Sequence, residues 1–303
     1  MRIASSQFEA TMTSSLQVNQ TRLAYLTAQM SSGLRVQVPS DDPIAAIRIS
    51  RLTREEAAIS QYRDNIGALK IRLQQNETYM DSMVRDLGQA RDLMVWALDG
   101  GNTPADLNAM TSTVLSLRDS LFYTANMKDQ EGRYIFSGTL VNSQSITFDA
   151  AAPIGSRYSF TGNTAQQQVV VGNGVTQPAN VDMKGMDILL NWLDQAADTL
   201  QTPNVTANDP AAHAALAMTL DNIDTAMGMV SGKIAGHGGA QNILSGLDQN
   251  HANVSLSNQT ALVDLSQLDY GAASVDLNGY TLALQATQKA YAKVSGLSLF
   301  NVL

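Results

Sequence analysis

Between Ile59 and Met94, seam residues recur in alternating steps of three and four without a slip. They are Ile59, Tyr62, Ile66, Leu69, Leu73, Asn76, Met80, Met83, Leu87, Ala90 and Met94. A pattern this long confines the segment to a helix with one buried stripe, the seam of a coiled-coil-like pairing, with Asn76 as its only amide. No proline interrupts from Ile44 to Thr103. The spacing therefore predicts a helix over 44–98, which at 1.5 Å per residue would be a rod roughly 80 Å long. Its start is legible in Ser40-Asp41-Asp42-Pro43: Asp42 can cap the helix, and Pro43 can take the first helical position, where a missing N–H is harmless. Asp99-Gly100-Gly101-Asn102 stops it. Thr103-Pro104 then restarts a helix by the same device, with Leu107, Met110, Val114, Leu117 and Leu121 as its stripe. The pair predicts a helical hairpin.

Both ends of the chain carry the same spacing. Met12, Leu16, Asn19, Leu23, Leu26 and Met30 form one seam, and Tyr270, Ala273, Leu277, Tyr280, Leu284, Thr287, Tyr291 and Val294 form the other. Residues 1–34 hold only three charges (Arg2, Glu9, Arg22), and residues 270–303 also hold three (Asp276, Lys289, Lys293). By contrast, Asp41–Val95 holds 17 charges in 55 residues. Helices so poor in charge are badly solvated alone and need partners on more than one side. Met12, Leu16, Leu23, Leu26, Met30, Leu277, Tyr280, Leu284 and Tyr291 are accordingly the candidate assembly seams, with Asp42 and Pro43 as the candidate helix start.

Between Gly138 and Asp182 the period changes. Ser145–Phe148, Arg157–Thr161, Gln166–Val171 and Val175–Gln177 alternate or are β-branched, separated by Gly155, Gly162-Asn163, Gly172-Asn173-Gly174 and Pro178. Helical spacing resumes over Ile188–Leu200 and at Leu216, Leu220, Ile223, Met227 and Val230. Gly232–Gly239 is expected to break the chain before a last long helix from about Ala240. The predicted fold is mainly α: a long antiparallel coiled-coil-like bundle with paired terminal helices and a small β insertion. Its expected domains are 1–40 with 262–303 (paired termini), 41–139 with 187–261 (helical rod) and 140–186 (β insertion).

Composition closes several functional classes. Nineteen Lys and Arg against 27 Asp and Glu leave a net charge of −8, which disfavours a nucleic-acid surface. The absence of cysteine removes disulfides, zinc–thiolate sites and thiol nucleophiles. The longest apolar run, Leu93–Leu98, is too short to cross a membrane, and the first 25 residues show no ordinary secretory signal. His213, His237 and His251 lack metal-ligand spacing and read as surface or cap residues. Asp41-Asp42 is explained by capping rather than acid–base work. The glycine-rich Gly232–Gly239 lacks the order of a phosphate loop. No catalytic, cofactor or metal constellation is found, so an enzyme is not expected.

Four segments carry a resemblance. Ser31–Ala46 reads SSGLRVQVPSDDPIAA, Asp129–Thr139 reads DQEGRYIFSGT, Gly238–Leu244 reads GGAQNIL, and the chain ends Ser298-Leu299-Phe300-Asn301-Val302-Leu303. In this order they resemble the hook–filament junction family of bacterial flagella, the third hook-associated proteins, within the flagellin-like superfamily. The glycine-rich turn departs from relatives that carry a basic residue there. The resemblance implies a structural subunit that leaves the cell through the flagellar type III export route with an export chaperone. It further implies self-assembly into a tubular layer, termini innermost and the β insertion outward, between the first hook-associated protein and flagellin. Flagellin itself is the nearest alternative. A soluble coiled-coil scaffold is the alternative that periodicity alone leaves open.

Overall fold

The structure is a computed structural model that describes residues 2–295; the terminal motif Ser298–Leu303 and the side chain of Val294 lie outside the described part. The elements are α1 (Arg2–Ser32), α2 (Pro43–Ala97), α3 (Pro104–Ala125), β1 (Ile146–Phe148), β2 (Tyr158–Phe160), β3 (Gln168–Gly172), β4 (Val175–Pro178), α4 (Met186–Gln201), α5 (Pro210–Ser266) and α6 (Tyr270–Ser295). The chain divides into two compact units, Met1–Ile59 with Ala252–Leu303, and Ser60–His251, the boundaries falling within α2 and α5.

In the second unit the long seam is buried at every position from Ile66 to Met94, Asn76 included. Thr103 and Asp106 close a reciprocal capping box at the start of α3: the Thr103 N–H donates to Asp106 Oδ2 (3.0 Å), and the Asp106 N–H donates to Thr103 Oγ1 (3.2 Å). The stripe of α3 then buries Leu107, Met110, Val114, Leu117 and Leu121 in one core with α2, α4 and α5. Each such side chain, fully buried, is worth about 1.5–3 kcal/mol.

The strands form two separate antiparallel hairpins, β1–β2 and β3–β4, rather than one sheet. Neither builds a core of its own. Ile146 and Tyr158 enter the main helical core, while Val171 and Ala179 pack with Ile66, Leu69, Leu73 and Leu244. A two-stranded ribbon leaves both outer edges with unpaired backbone groups. Here asparagine amides occupy them. Asn126 donates to the Ile146 carbonyl (2.9 Å) and accepts its N–H (3.1 Å). Asn191 does the same for Tyr158, at 2.8 and 2.9 Å. On the second hairpin, Asn65 donates to the Val170 carbonyl (2.8 Å), and His251 Nε2 lies 2.9 Å from the Val171 carbonyl.

Two sequence expectations are corrected. Gly232–Gly239 does not break the chain: α5 runs unbroken through it from Pro210 to Ser266, and the GGAQNIL segment lies inside the helix. Each glycine costs about 1 kcal/mol relative to alanine in a helix, but Val230 and Leu244, both fully buried, anchor the helix on either side. The chain turns instead at Gln267–Asp269. The second correction concerns His237, which is buried rather than on the surface.

Candidate functional site

The first unit holds the candidate site, the paired helices α1 and α6 and the joint at their base. Along α1 the seam positions Met12, Leu16, Leu23 and Met30 are half-buried and Leu26 is buried. Along α6, Leu277, Tyr280 and Leu284 are half-buried and Ala273 is buried. Leu26, Leu268 and Ala273 form a small core flanked by Met30, Leu277 and Tyr280. The two sequence seams therefore face each other, as two interlocking stripes must to leave water. Tyr291 differs: it is 37% exposed.

The pairing covers one face of each helix. Val18, Tyr25, Val275 and Leu282 stay exposed, as does Phe8. The polar residues beside them ask little of solvent. Thr11, Thr21 and Thr27 donate to carbonyls four residues back on α1, at 2.8–2.9 Å. Ser274, Thr281 and Thr287 do so on α6, at 2.7–2.8 Å. A hydroxyl satisfied within its own helix can be buried against a partner without leaving an unpaired donor.

The joint is built by Ser31–Pro43. Gly33 ends α1 at φ +72°, the left-handed region where a Cβ is strained, and a Cβ there would stand 3.3 Å from Tyr270 Oη. The chain then pairs with the α5–α6 turn: the Arg35 N–H donates to the Ser266 carbonyl (2.8 Å), and the Leu268 N–H donates to the Gly33 carbonyl (2.9 Å). Tyr270 Oη donates to the Met30 carbonyl (3.0 Å). The Arg35 guanidinium bridges Asp42 Oδ2 and the Leu265 carbonyl, each at 3.1 Å.

Asp42 caps α2 by accepting the Ala45 N–H at 2.9 Å, and Pro43 takes the first helical position. The Ala45 N–H, and then Arg35, hold the Asp42 carboxyl below the usual carboxylate range. Asp41 serves the preceding turn instead, accepting the Gln37 and Val38 N–H groups at 2.9 Å each. The Val38 N–H is the main cause that its carboxyl is also held low.

Gln29 is a member of the site that periodicity misses. It is buried beside Leu26, and its amide donates to the Arg35 carbonyl (2.6 Å) and to Tyr25 Oη (3.1 Å). The available signal was an amide four residues before a helix-ending glycine. Among the described residues, no group of three or more His, Asp or Glu is placed to hold a metal, and no helix is long and apolar enough to cross a membrane.

Comparison with known proteins agrees with this architecture. Residues 3–140 match the family model of the bacterial flagellin N-terminal helical region. Flagellar hook-associated protein 3 of Escherichia coli K12 is 29% identical over 289 residues, 90% of each chain. The protein of the same name from Salmonella typhimurium LT2 is 28% identical, over 100% of this chain and 99% of its own. Among solved structures, a flagellar hook-associated protein from Vibrio parahaemolyticus is 31% identical with a TM-score of 0.67, covering 75% of this chain and 100% of that one. The hook-associated protein 3 of Legionella pneumophila shares the fold alone, at 13% identity and a TM-score of 0.65, covering 72% of this chain and 98% of its own.

Proposed function

This chain belongs to the flagellar hook-associated protein 3 family, and we propose that it is the structural subunit that joins the flagellar hook to the filament. In this reading it assembles beside the first hook-associated protein on one side and flagellin on the other, after secretion through the flagellar export route with a chaperone. Residues 1–40 and 262–303 form the inner layer of a tube. The observation that carries the reading is the α1–α6 pair. Each helix spends one apolar stripe on the other, through Leu26, Met30, Leu277 and Tyr280, and keeps further apolar side chains exposed on an almost uncharged surface. Such faces are stable only when covered. Relatives that match over 90% or more of the chain and bear the hook-associated protein 3 name favour this role over that of a filament subunit.

Complementation in a bacterium lacking its own copy tests the proposal. Leu23→Asp and Leu284→Asp each set a carboxylate on a half-buried seam position, at a desolvation cost that the pair cannot offset. Either variant is expected to be made and exported, to leave few attached filaments by electron microscopy, and to release flagellin into the medium. Normal filaments on both variants would overturn the junction reading.

A further inference from the structure

Helix α5 carries Gly228, Gly232, Gly236, Gly238 and Gly239 within twelve positions. Glycine inside a helix is normally explained by a close neighbour or a positive φ. Neither applies, because a Cβ at any of the five would meet nothing within 4 Å, and none has a positive φ. What remains is their effect on the helix itself, which glycine makes locally easy to unwind.

His237 sits in the middle of this stretch and is 9% exposed. The ring lies against the Leu73 backbone of α2, and its Nδ1 is buried with no hydrogen-bond partner. A neutral imidazole carries one proton and can leave Nδ1 as a bare acceptor, whereas an imidazolium carries a proton on both ring nitrogens. Beside the ring is a cavity of about 440 Å³, lined in part by Leu73, Gly236, His237, Gly239 and Pro178.

The charged groups facing the ring come from three elements. Glu77 projects from α2 and already accepts the Gln241 amide at 2.9 Å. Lys233 lies one turn back on α5, paired at 3.4 Å with Asp182 from the segment before α4.

We propose that Gly232–Gly239 is a proton-gated weak point of α5, opened when His237 takes up a proton. In the charged ring Nδ1 must carry a proton, which makes it a buried donor with nothing to receive it. It also places a positive charge one turn from Lys233, and the Glu77 carboxylate offsets only part of the cost of burial. Burial, the main cause, holds the imidazole below its ordinary value. The cost is relieved by unwinding the glycine stretch, which lets the ring swing into the cavity and meet water. Val230 and Leu244, both fully buried, hold the helix on either side, so the opening is local.

Hydrogen exchange on the full chain at pH 7.5 and pH 5.5, corrected for intrinsic rates, tests this. Protection over residues 230–244, relative to residues 216–227, is expected to fall at pH 5.5 by a factor approaching ten, the ceiling set by an unfolded imidazole near 6.5. Replacing Gly232, Gly236, Gly238 and Gly239 together by alanine, while keeping His237, should raise protection of the stretch at both pH values. His237→Phe should abolish the pH response. A wild-type change of less than twofold, an unchanged pH response in His237→Phe, or no gain from the four alanines would each overturn the proposal.

Discussion

Gly33 is where a single atom decides the shape of the first unit. At φ +72° an L side chain is strained by roughly 1–2 kcal/mol, and the added Cβ would press on the Tyr270 hydroxyl that bonds the Met30 carbonyl. Gly33→Ala is expected to lower the stability of this unit by at least that strain, read from denaturant unfolding with exchange probes in α1. The neighbouring carboxylates set a pH window. The folded values of Asp41 and Asp42 are depressed, chiefly by the Val38 and Ala45 N–H groups respectively. Their contribution is therefore complete above the unfolded value near 4, and is lost as pH falls through the lower folded values. Asp42→Asn keeps a side-chain cap but loses the charge and the Arg35 pair. Its loss of protection over Gly33–Ala46 between pH 6 and pH 3 should be smaller than that of the parent protein. An equal loss would mean that Asp42 contributes nothing in this window.

Among the elements, the hairpins depend on helices in a way that propensity does not express. β1 and β2 are three residues each, too short to stand alone, and Asn126 and Asn191 supply the outer hydrogen bonds that a further strand would otherwise give. Asn191→Ala removes the partners of both the N–H and the carbonyl of Tyr158, and a buried unsatisfied group costs about 1–3 kcal/mol. We expect Asn126→Ala and Asn191→Ala each to lower the urea midpoint of the second unit, with less than the sum of the two when combined, because both act on one hairpin. The same elements show what was readable in advance. The α2 seam, the Asp42-Pro43 start and the Thr103-Pro104 restart were legible because they rest on local spacing and caps. The four strands were legible from alternation between turn residues. The helical course of α5 through Gly232–Gly239 was not, since burial at Val230 and Leu244 outweighs local glycine cost and is decided by distant chain. The edge-binding role of asparagines was equally hidden, because an amide reads locally as a turn or cap residue.

At the scale of the whole molecule, the first unit buries the cluster Leu26, Leu268 and Ala273, and the second unit buries the clusters around Met80–Met94 and around Ile66, Leu69 and Leu73. As an insertion between helices that keep their own seams, 140–186 would be expected to come out with the helices left intact. The packing argues for a different outcome. Excising Val141–Asp182 would remove Ile146, Tyr158, Val171, Ala179 and Val181, all buried against helical side chains. Leu69, Leu73 and part of the α4 surface would be left bare, and losing a large apolar side chain from a packed core costs about 2–5 kcal/mol at each site. Domains are stable by only 5–15 kcal/mol in total. Replacing Val141–Asp182 with a short Gly/Ser linker is therefore expected to abolish the cooperative unfolding of the second unit, measured by circular dichroism in urea. Leu23→Asp should leave that transition where it is, while disabling the proposed junction role through the first unit. If the linker variant still unfolds cooperatively near the parent midpoint, the hairpins are peripheral to the helical core. If Leu23→Asp shifts the second unit's transition, its effect on filaments cannot be assigned to the terminal seam.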